Sequence, residues 1–169
     1  INNGLSQPYP RELKIIKLYL EMNPTKNNTY IDIGGHFGTT AIPYNKLFEK
    51  IIVFEPNKEN YNLLNQNIHL NNINNIITYN NGVFNKNING ILKNHNNNSG
   101  SYVMEELKYK TNESIEFIKL DDINIESKVD FIKIDTEGSE LFVLEGAKNI
   151  INKNKIIIQV ETNICSNKF

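Results

Sequence analysis

Short runs of apolar residues alternate along the chain with longer segments in which apolar residues recur every three or four positions. The runs have the length and β-branched content of strands, and they cover residues 29–33, 51–55, 76–79, 129–135 and 155–161. The longer segments predict helices over residues 10–22, 37–49, 58–71 and 139–151. Apolar strands that alternate with helices are typical of a parallel sheet covered on both faces. The pattern therefore predicts an α/β fold with a mostly parallel sheet.

The sequence also predicts that one helix is interrupted and which side chains of two other helices are buried. Pro43 lies inside the helix predicted over residues 37–49 and should shorten or kink it, because proline has no backbone N–H to donate. In the helix over 58–71, the side chains expected to face the sheet are Tyr61, Leu63, Leu64 and Ile68. In the helix over 139–151, the expected buried stripe consists of Leu141, Val143, Leu144, Ala147 and residues 150–151.

Residues 82–119 have a different character, with Asn, Gly and Ser between short apolar stretches. This composition predicts a β-rich insertion of two or three strands and not a helical crossover. Within it, the polar run over residues 94–100 is either a solvated turn or a flap over a substrate. We expect a single domain over residues 1–169, with an N-terminal helix and lead-in (1–27), a core (28–161) and a tail (162–169).

The composition is that of an ordinary globular chain, and it argues against several classes of partner. Of the 169 residues 39% are hydrophobic, and the formal net charge of −1 does not favour nucleic acid. Arg11 is the only arginine, and no apolar stretch reaches the ~20 residues of a membrane span. The single cysteine, Cys165, excludes an internal disulfide and favours a reducing, cytoplasmic location. One Cys and scattered His residues form no metal-ligand cluster.

The glycine-rich segment after the first strand is the principal functional motif. Gly34, Gly35 and Gly38 form the pattern Gly-Gly-x-x-Gly between a predicted strand and a predicted helix. Such a segment is either a tight strand-to-helix connection or a turn whose backbone approaches a nucleotide. Glu55 ends the second strand about 20 residues after Asp32, where an acid can hold ribose hydroxyls. This second acid favours the nucleotide alternative.

Four of the predicted strands end in or close to a carboxylate, namely Asp32, Glu55, Asp135 and Glu161. Ligands of open α/β sheets bind outside the carboxyl ends of the strands, so we expect these acids to converge on one crevice. Lys133 lies on the same face of its strand as Asp135, and it is either the charge partner of Asp135 or a substrate contact. Glu137 is either a carboxylate in the first turn of the next helix or part of an acceptor pocket.

Three segments contain the glycine-rich turn and the acids that follow the strands. They are Tyr-Ile-Asp-Ile-Gly-Gly-His-Phe-Gly from Tyr30, Val-Phe-Glu-Pro-Asn from Val53, and Phe-Ile-Lys-Ile-Asp-Thr-Glu-Gly-Ser-Glu from Phe131. These segments resemble the signatures of FkbM-type S-adenosylmethionine-dependent methyltransferases. The resemblance spans residues 28–161. It implies a Rossmann-like class I methyltransferase fold and S-adenosylmethionine as the cofactor. It also implies methyl transfer to an oxygen, often a sugar hydroxyl of a glycan or glycoconjugate.

The resemblance also implies roles for individual residues. The cofactor would lie on the glycine-rich turn, which consists of Asp32, Gly34, Gly35, His36 and Gly38. Glu55 would hold its ribose hydroxyls, and Asn81 would lie near its adenine. Asp135 would lie beside the transferred methyl group, while Glu137 and Glu161 would border the acceptor. Because a sugar hydroxyl needs a base to remove its proton, we expect Asp135, or in second place Glu161, to be that base.

Members of this family normally have two further strands after the position of Glu161, so we expect the C-terminal strands to be shortened or missing here. A neighbouring domain or a second copy of the chain would then cover the sheet edge. Gly35 stands where the family usually has Ala, a small change that should be tolerated. A divalent ion held by Asp135 and nearby acids is an alternative that the sequence does not favour. Two other functions stay open: a non-catalytic module with a degenerate methyltransferase fold and, less favoured, an NAD-binding oxidoreductase.

Overall fold

The computed structural model describes residues 10–22, 29–94 and 102–161. The first part of the chain forms α1 (Pro10–Met22), β1 (Thr29–Ile33), α2 (Ala41–Tyr44), β2 (Lys50–Phe54), α3 (Lys58–Leu70) and β3 (Ile76–Tyr79). The insertion forms β4 (Gly82–Val83), β5 (Ile88–Asn94), β6 (Tyr102–Glu106) and β7 (Ile115–Ile118). A short 3-10 helix (Leu120–Asp122) precedes β8 (Val129–Ile134), α4 (Glu140–Gly146), α5 (Lys148–Lys153) and β9 (Ile157–Val160).

Five strands form the central sheet in the order β3-β2-β1-β8-β9. Every neighbouring pair in this sheet is parallel, and all residues of β1 and β8 are buried. Strands covered on both faces need apolar side chains on both, which is why they form nearly continuous apolar runs in the sequence. The predicted α/β fold with a mostly parallel sheet is confirmed.

Helices cover the two faces of the sheet, and each face has its own apolar core. One core joins α1, α2 and α3 to the sheet and includes Ile16, Tyr44, Leu64 and Ile68. The other joins α4, the 3-10 helix and β4 to the opposite face and includes Val83, Leu120, Val143 and Ala147. Because both faces are covered, a ligand can reach the strands of this sheet at their ends.

The strand order reverses at β1, which has β2 on one side and β8 on the other. Backbone hydrogen bonds continue past the strand ends at this point. The amide of Gly34 donates to the carbonyl of Phe54 at 2.9 Å, and the amide of Asp135 donates to the carbonyl of Ile33 at 3.0 Å. Open α/β sheets bind their ligands at such a reversal, outside the carboxyl ends of the strands.

The insertion forms a second sheet in the order β4-β7-β5-β6. In it β5 is antiparallel to both β6 and β7, while β4 is parallel to β7. The β-rich insertion predicted around residues 82–119 is therefore present. Of the polar run interpreted as a turn or a flap, residues 95–100 lie outside the described residues.

Two predicted helices differ from the structure. The helix predicted over residues 37–49 is limited to α2, because Gly38 has a φ of 94° and Pro43 cannot donate a backbone hydrogen bond. The helix predicted over residues 139–151 is divided into α4 and α5. The carboxylate of Asp121 causes a new helix to begin there, since it accepts hydrogen bonds at 2.9 Å from the amides of Asn149 and Ile150.

Two leucines expected to be buried are exposed. Leu63 is 47% exposed and Leu141 is 66% exposed. The buried face of α3 is set by Leu64 and Ile68, which are four positions apart, and Leu63 lies beside that face. Leu141 precedes the buried Val143 by two positions and so projects from the opposite side of α4.

Strand β9 forms one edge of the central sheet, and β3 forms the other. The C-terminal strands that the sequence predicts to be shortened or missing would follow residue 161, and residues 162–169 lie outside the described part of the chain. Among the described residues, none of the helices has the length and apolar content that a membrane-spanning helix needs.

Candidate active site

A cavity of about 340 Å³ opens at the carboxyl ends of the central strands. Three of the predicted acids, Glu55, Asp135 and Glu161, come directly after the last residues of β2, β8 and β9. All three line the cavity. The parallel arrangement of the strands thus brings acids that are far apart in sequence to one crevice.

Glu55 is almost completely buried at the end of β2, with 5% of its surface exposed. Each carboxylate oxygen accepts one backbone hydrogen bond: Oε2 from the amide of His36 and Oε1 from the amide of Asn57, both at 2.8 Å. Burial raises the pKa of Glu55 above its ordinary value, although these hydrogen bonds oppose the shift. The carboxylate therefore joins the glycine-rich turn to the start of α3 while it lines the cavity.

The glycine-rich turn presents its backbone to the cavity. Gly34 has a φ of 85°, and a Cβ at this position would lie 1.9 Å from the carbonyl oxygen of Asp135. His36 also has a left-handed backbone, with a φ of 52°, and its amide points to Glu55. Both Gly34 and His36 line the cavity. A side chain at Gly34 would separate β1 from β8 at the point where the site is formed.

Asp32, Gly35 and Gly38 are not among the described residues that line the cavity. Asp32 is completely buried within β1. A Cβ at Gly35 would lie 2.1 Å from Cγ1 of Val53, and a Cβ at Gly38 would lie 2.9 Å from Cδ1 of Leu64. The two glycines therefore allow close packing behind the turn. An alanine at position 35 would require Val53 to move.

Lys133 lies between the acids of β1 and β8. It is 8% exposed, and its Nζ is 2.7 Å from Oδ2 of Asp135 and 3.9 Å from Oδ1 of Asp32. Burial by itself lowers the pKa of Lys133, but attraction to Asp32, Asp135 and Glu161 raises it above its ordinary value overall. Lys133 is thus the charge partner of Asp135, which is one of the two roles that the sequence predicts. It also lines the cavity.

Asp135 and Glu161 form a carboxyl pair. A hydrogen bond to Asp135 and the charge of Asp135 raise the pKa of Glu161 above its ordinary value of 4.5; partial burial and the charge of Glu137 act in the same direction, and Lys133 opposes them. A carboxyl group that lies against a second carboxyl group ionises less readily. Glu161 can therefore accept a proton at a higher pH than an ordinary glutamate does.

The turn after β8 brings Glu137 to the cavity, where its backbone has a φ of 53°. The acid in the first turn of α4 is Glu140, so the interpretation of Glu137 as a carboxylate inside that helix is wrong. Glu140 is not among the site residues predicted from the sequence. The signal that could have found it is an acid directly after Gly138 and Ser139, since acids are favoured where a helix begins.

The insertion supplies apolar side chains to the cavity, namely Val83, Leu92, Met104 and Phe117. Asn81 lines the cavity beside them, and its Nδ2 donates to the carbonyl of Glu116 at 3.3 Å. The sequence gives no motif for these apolar contacts, because they come from short strands that are separated by turns. The cavity thus combines an apolar part with an acidic part, as sites for small polar ligands commonly do.

Most of the predicted site residues meet at this cavity. Those that line it are Gly34, His36, Glu55, Asn81, Lys133, Asp135, Glu137 and Glu161. Within the described ranges, no group of three or more His, Cys, Asp or Glu side chains could hold a metal ion. The arrangement can bind a ligand that donates hydrogen bonds to Glu55, and it can take up a proton at the Asp135–Glu161 pair.

Comparison with known proteins gives a match to the methyltransferase FkbM domain over residues 32–166. No curated protein matches the sequence. Among solved structures, the chain is similar to an rRNA methylase from Streptococcus thermophilus, with a TM-score of 0.55 at 11% identity over 92% of this chain and 73% of that one. A Streptococcus mutans protein described as a methyltransferase, in complex with SAH, has a TM-score of 0.51 at 12% identity over 90% and 73% of the two chains. The ribosomal protein L11 methylase from Lactobacillus delbrueckii subsp. bulgaricus has a TM-score of 0.50 at 15% identity over 95% and 66%.

These structural similarities show that the fold is a Rossmann-like methyltransferase fold. The family match is more specific, because it covers most of the chain and includes the glycine-rich turn, Glu55 and the group from Lys133 to Glu161. The chain therefore belongs to the FkbM methyltransferase family.

Proposed function

We propose that this chain is an S-adenosylmethionine-dependent O-methyltransferase that acts on a sugar hydroxyl of a glycan or glycoconjugate. The observation that carries the proposal is that Glu55 and the Asp135–Glu161 pair line one cavity where the strand order reverses. Glu55 is suited to nucleoside hydroxyls, and the carboxyl pair is suited to removal of a proton.

The residues present fit this cofactor. Gly34 brings the backbone to the cavity without a Cβ, as a nucleotide-binding turn requires. Glu55 accepts one backbone hydrogen bond on each oxygen and a side-chain hydrogen bond from Asn60. Because a carboxylate has about four lone-pair sites, one site remains for a ribose hydroxyl. Asn81 would lie at the adenine end. The Streptococcus mutans protein with a similar fold is in complex with SAH, which supports the same class of ligand here.

When bound, S-adenosylmethionine supplies the methyl group as an electrophile. The chain itself must orient the acceptor hydroxyl and remove its proton. Lys133 already stabilises the charge on Oδ2 of Asp135 at 2.7 Å, whereas Asp135 raises the pKa of Glu161. These contacts favour Glu161 as the proton acceptor and Asp135 as the group that orients it. The order of the two candidate bases is then the reverse of the order that the sequence suggests.

The charge of the cavity bears on the class of acceptor. Asp135, Glu137 and Glu161 line it, and the Lys133 ammonium is held between Asp32 and Asp135. A phosphate or carboxylate on the acceptor would meet like charge. A neutral sugar instead offers hydroxyl groups that can donate to these carboxylates. A neutral sugar is therefore the acceptor class that we propose.

Calorimetric titration with SAH and with NAD tests the cofactor, and incubation with labelled S-adenosylmethionine and a panel of free and linked sugars tests the reaction. We expect heat with SAH and a methyl increment by mass spectrometry. The Glu55→Ala variant should lose SAH binding, whereas the exposed Glu49→Ala variant should keep it. Binding of NAD without SAH would replace this proposal with the oxidoreductase. SAH binding without transfer to any sugar would favour a non-catalytic module.

A further inference from the structure

One carboxylate oxygen of Glu140 holds the turn between β8 and α4. Oε1 accepts hydrogen bonds from the amide of Thr136 at 3.2 Å, from Oγ1 of Thr136 at 3.1 Å and from the amide of Gly138 at 2.9 Å. Hydrogen bonds to an ionised carboxylate are stronger than those between neutral groups. The three together fix the backbone on both sides of Glu137.

The backbone held in this way has an uncommon conformation. Glu137 has a φ of 53° and Gly138 has a φ of 110°, and a non-glycine residue in the left-handed region is costly unless its surroundings impose it. Packing at Gly138 does not impose it, because a Cβ there would have no described atom within 4 Å. The hydrogen bonds to Glu140 hold the backbone on both sides of Glu137 in this conformation.

The conformation of the turn determines where Glu137 lies. It lines the cavity beside Asp135 and Glu161, and its charge contributes to the raised pKa of Glu161, after the larger effect of Asp135. Glu140 is not among the described residues that line the cavity. Any effect of Glu140 on the reaction must therefore pass through the turn.

We propose that Glu140 is a positioning residue that places Glu137 against the acceptor. The assignment rests on the proposed function. A purely structural role is the alternative, in which Glu140 stabilises the first turn of α4 and contributes to folding alone. The two roles differ in what they change. Positioning affects the Michaelis constant for the acceptor, whereas helix stabilisation affects the unfolding transition without selective loss of acceptor binding.

A double-mutant cycle with Glu137→Ala, Glu140→Ala and the double variant separates the two roles. We expect Glu140→Ala to lower kcat/KM for the acceptor roughly 10- to 100-fold, mainly through KM, because a hydrogen bond between the acceptor and a charged Glu137 contributes about that factor to binding. The affinity for SAH, measured by calorimetry, should not change. The double variant should be no worse than Glu137→Ala, because Glu140 acts through Glu137. Glu140→Gln keeps an acceptor oxygen and should restore much of the activity.

A second variant distinguishes a change in the turn from a general loss of folding. Gly138→Ala keeps Glu140 but adds a Cβ at a φ of 110°, and it should reproduce the increase in KM. The exposed Glu126→Ala variant is the control. Independent, multiplicative effects in the cycle, or an equal loss of SAH affinity, would overturn the positioning role and leave the methyltransferase proposal intact. Absence of methyl transfer by the unaltered chain would overturn both.

Discussion

Replacement of Lys133 by methionine tests the central charge arrangement of the site. Methionine has nearly the length of lysine, so the change removes the ammonium and leaves most of the packing. In the unaltered chain Nζ of Lys133 lies 2.7 Å from Asp135 and 3.9 Å from Asp32. Asp32 is completely buried. The variant would leave both carboxylates in place without this ammonium.

The size of the effect follows from these distances. At an effective dielectric constant of about 20, charges 2.7 Å and 3.9 Å apart attract by roughly 6 and 4 kcal/mol. Desolvation of the buried lysine offsets much of this attraction, and removal of one partner of a buried pair typically costs about 3–5 kcal/mol. Because the side chain of Asp135 is 27% exposed, we expect a loss near the lower value, about 3 kcal/mol.

Urea unfolding at pH 8 and at pH 5 measures this loss. The pKa of Lys133 is raised in the folded chain, so its stabilising effect is fully present below the unfolded value of about 10.4 and is lost as pH rises through the folded pKa. Lys133 is therefore charged at both test pH values. The difference between the two chains should therefore be about the same at pH 8 and at pH 5.

Lys93→Met is the matched control. The pair formed by Lys93 and Glu105 is exposed on both sides, at 62% and 53%, and such pairs contribute about 0–1 kcal/mol. If Lys133→Met destabilised the chain no more than Lys93→Met at either pH, the account of Lys133 as a buried counter-charge would be refuted.

Three further predictions concern the cavity and its support. Because its pKa is raised, Glu161 should place the acid limb of the kcat profile above pH 4.5; a limb at or below that value would exclude Glu161 as the base. Glu55→Gln should weaken SAH binding by about 1.5–3 kcal/mol in a calorimetric titration, the value of hydrogen bonds to a charged group, and unchanged affinity would contradict its role. Gly35→Ala should lower the free energy of unfolding by about 1–3 kcal/mol, because its Cβ would lie 2.1 Å from Val53; combination with Val53→Ala should recover part of that loss in urea unfolding.

The central sheet could be predicted from the sequence because strands that are buried on both faces consist of nearly continuous apolar runs. The bounds of β1 and β3 are those predicted, β8 ends one residue earlier than predicted, and β2 begins and ends one residue earlier than predicted. The convergence of Glu55, Asp135 and Glu161 also follows from the sequence, since the carboxyl ends of parallel strands lie along one edge. These features depend on periodicity and connection order alone.

The features that the sequence did not predict depend on contacts between distant segments. The division between α4 and α5 depends on Asp121, which lies in another element and accepts the amides of α5. His36 has a left-handed backbone in which its amide donates a hydrogen bond to Glu55. The sequence around His36 does not indicate this contact. The apolar part of the cavity comes from Leu92, Met104 and Phe117 on separate strands, whose meeting no local pattern encodes.

Asn75 shows how chemical damage could act on this fold. Its side-chain amide donates to the carbonyls of Asn45 and Phe48 at 2.7 and 2.8 Å, in the segment that follows the shortened α2. Its backbone carbonyl accepts from Ile51 at 2.9 Å. Deamidation would exchange the donor for a negatively charged oxygen, so both attractions would become repulsions next to β2. An aspartate at position 75 would therefore weaken the connection between the segment after α2 and β2.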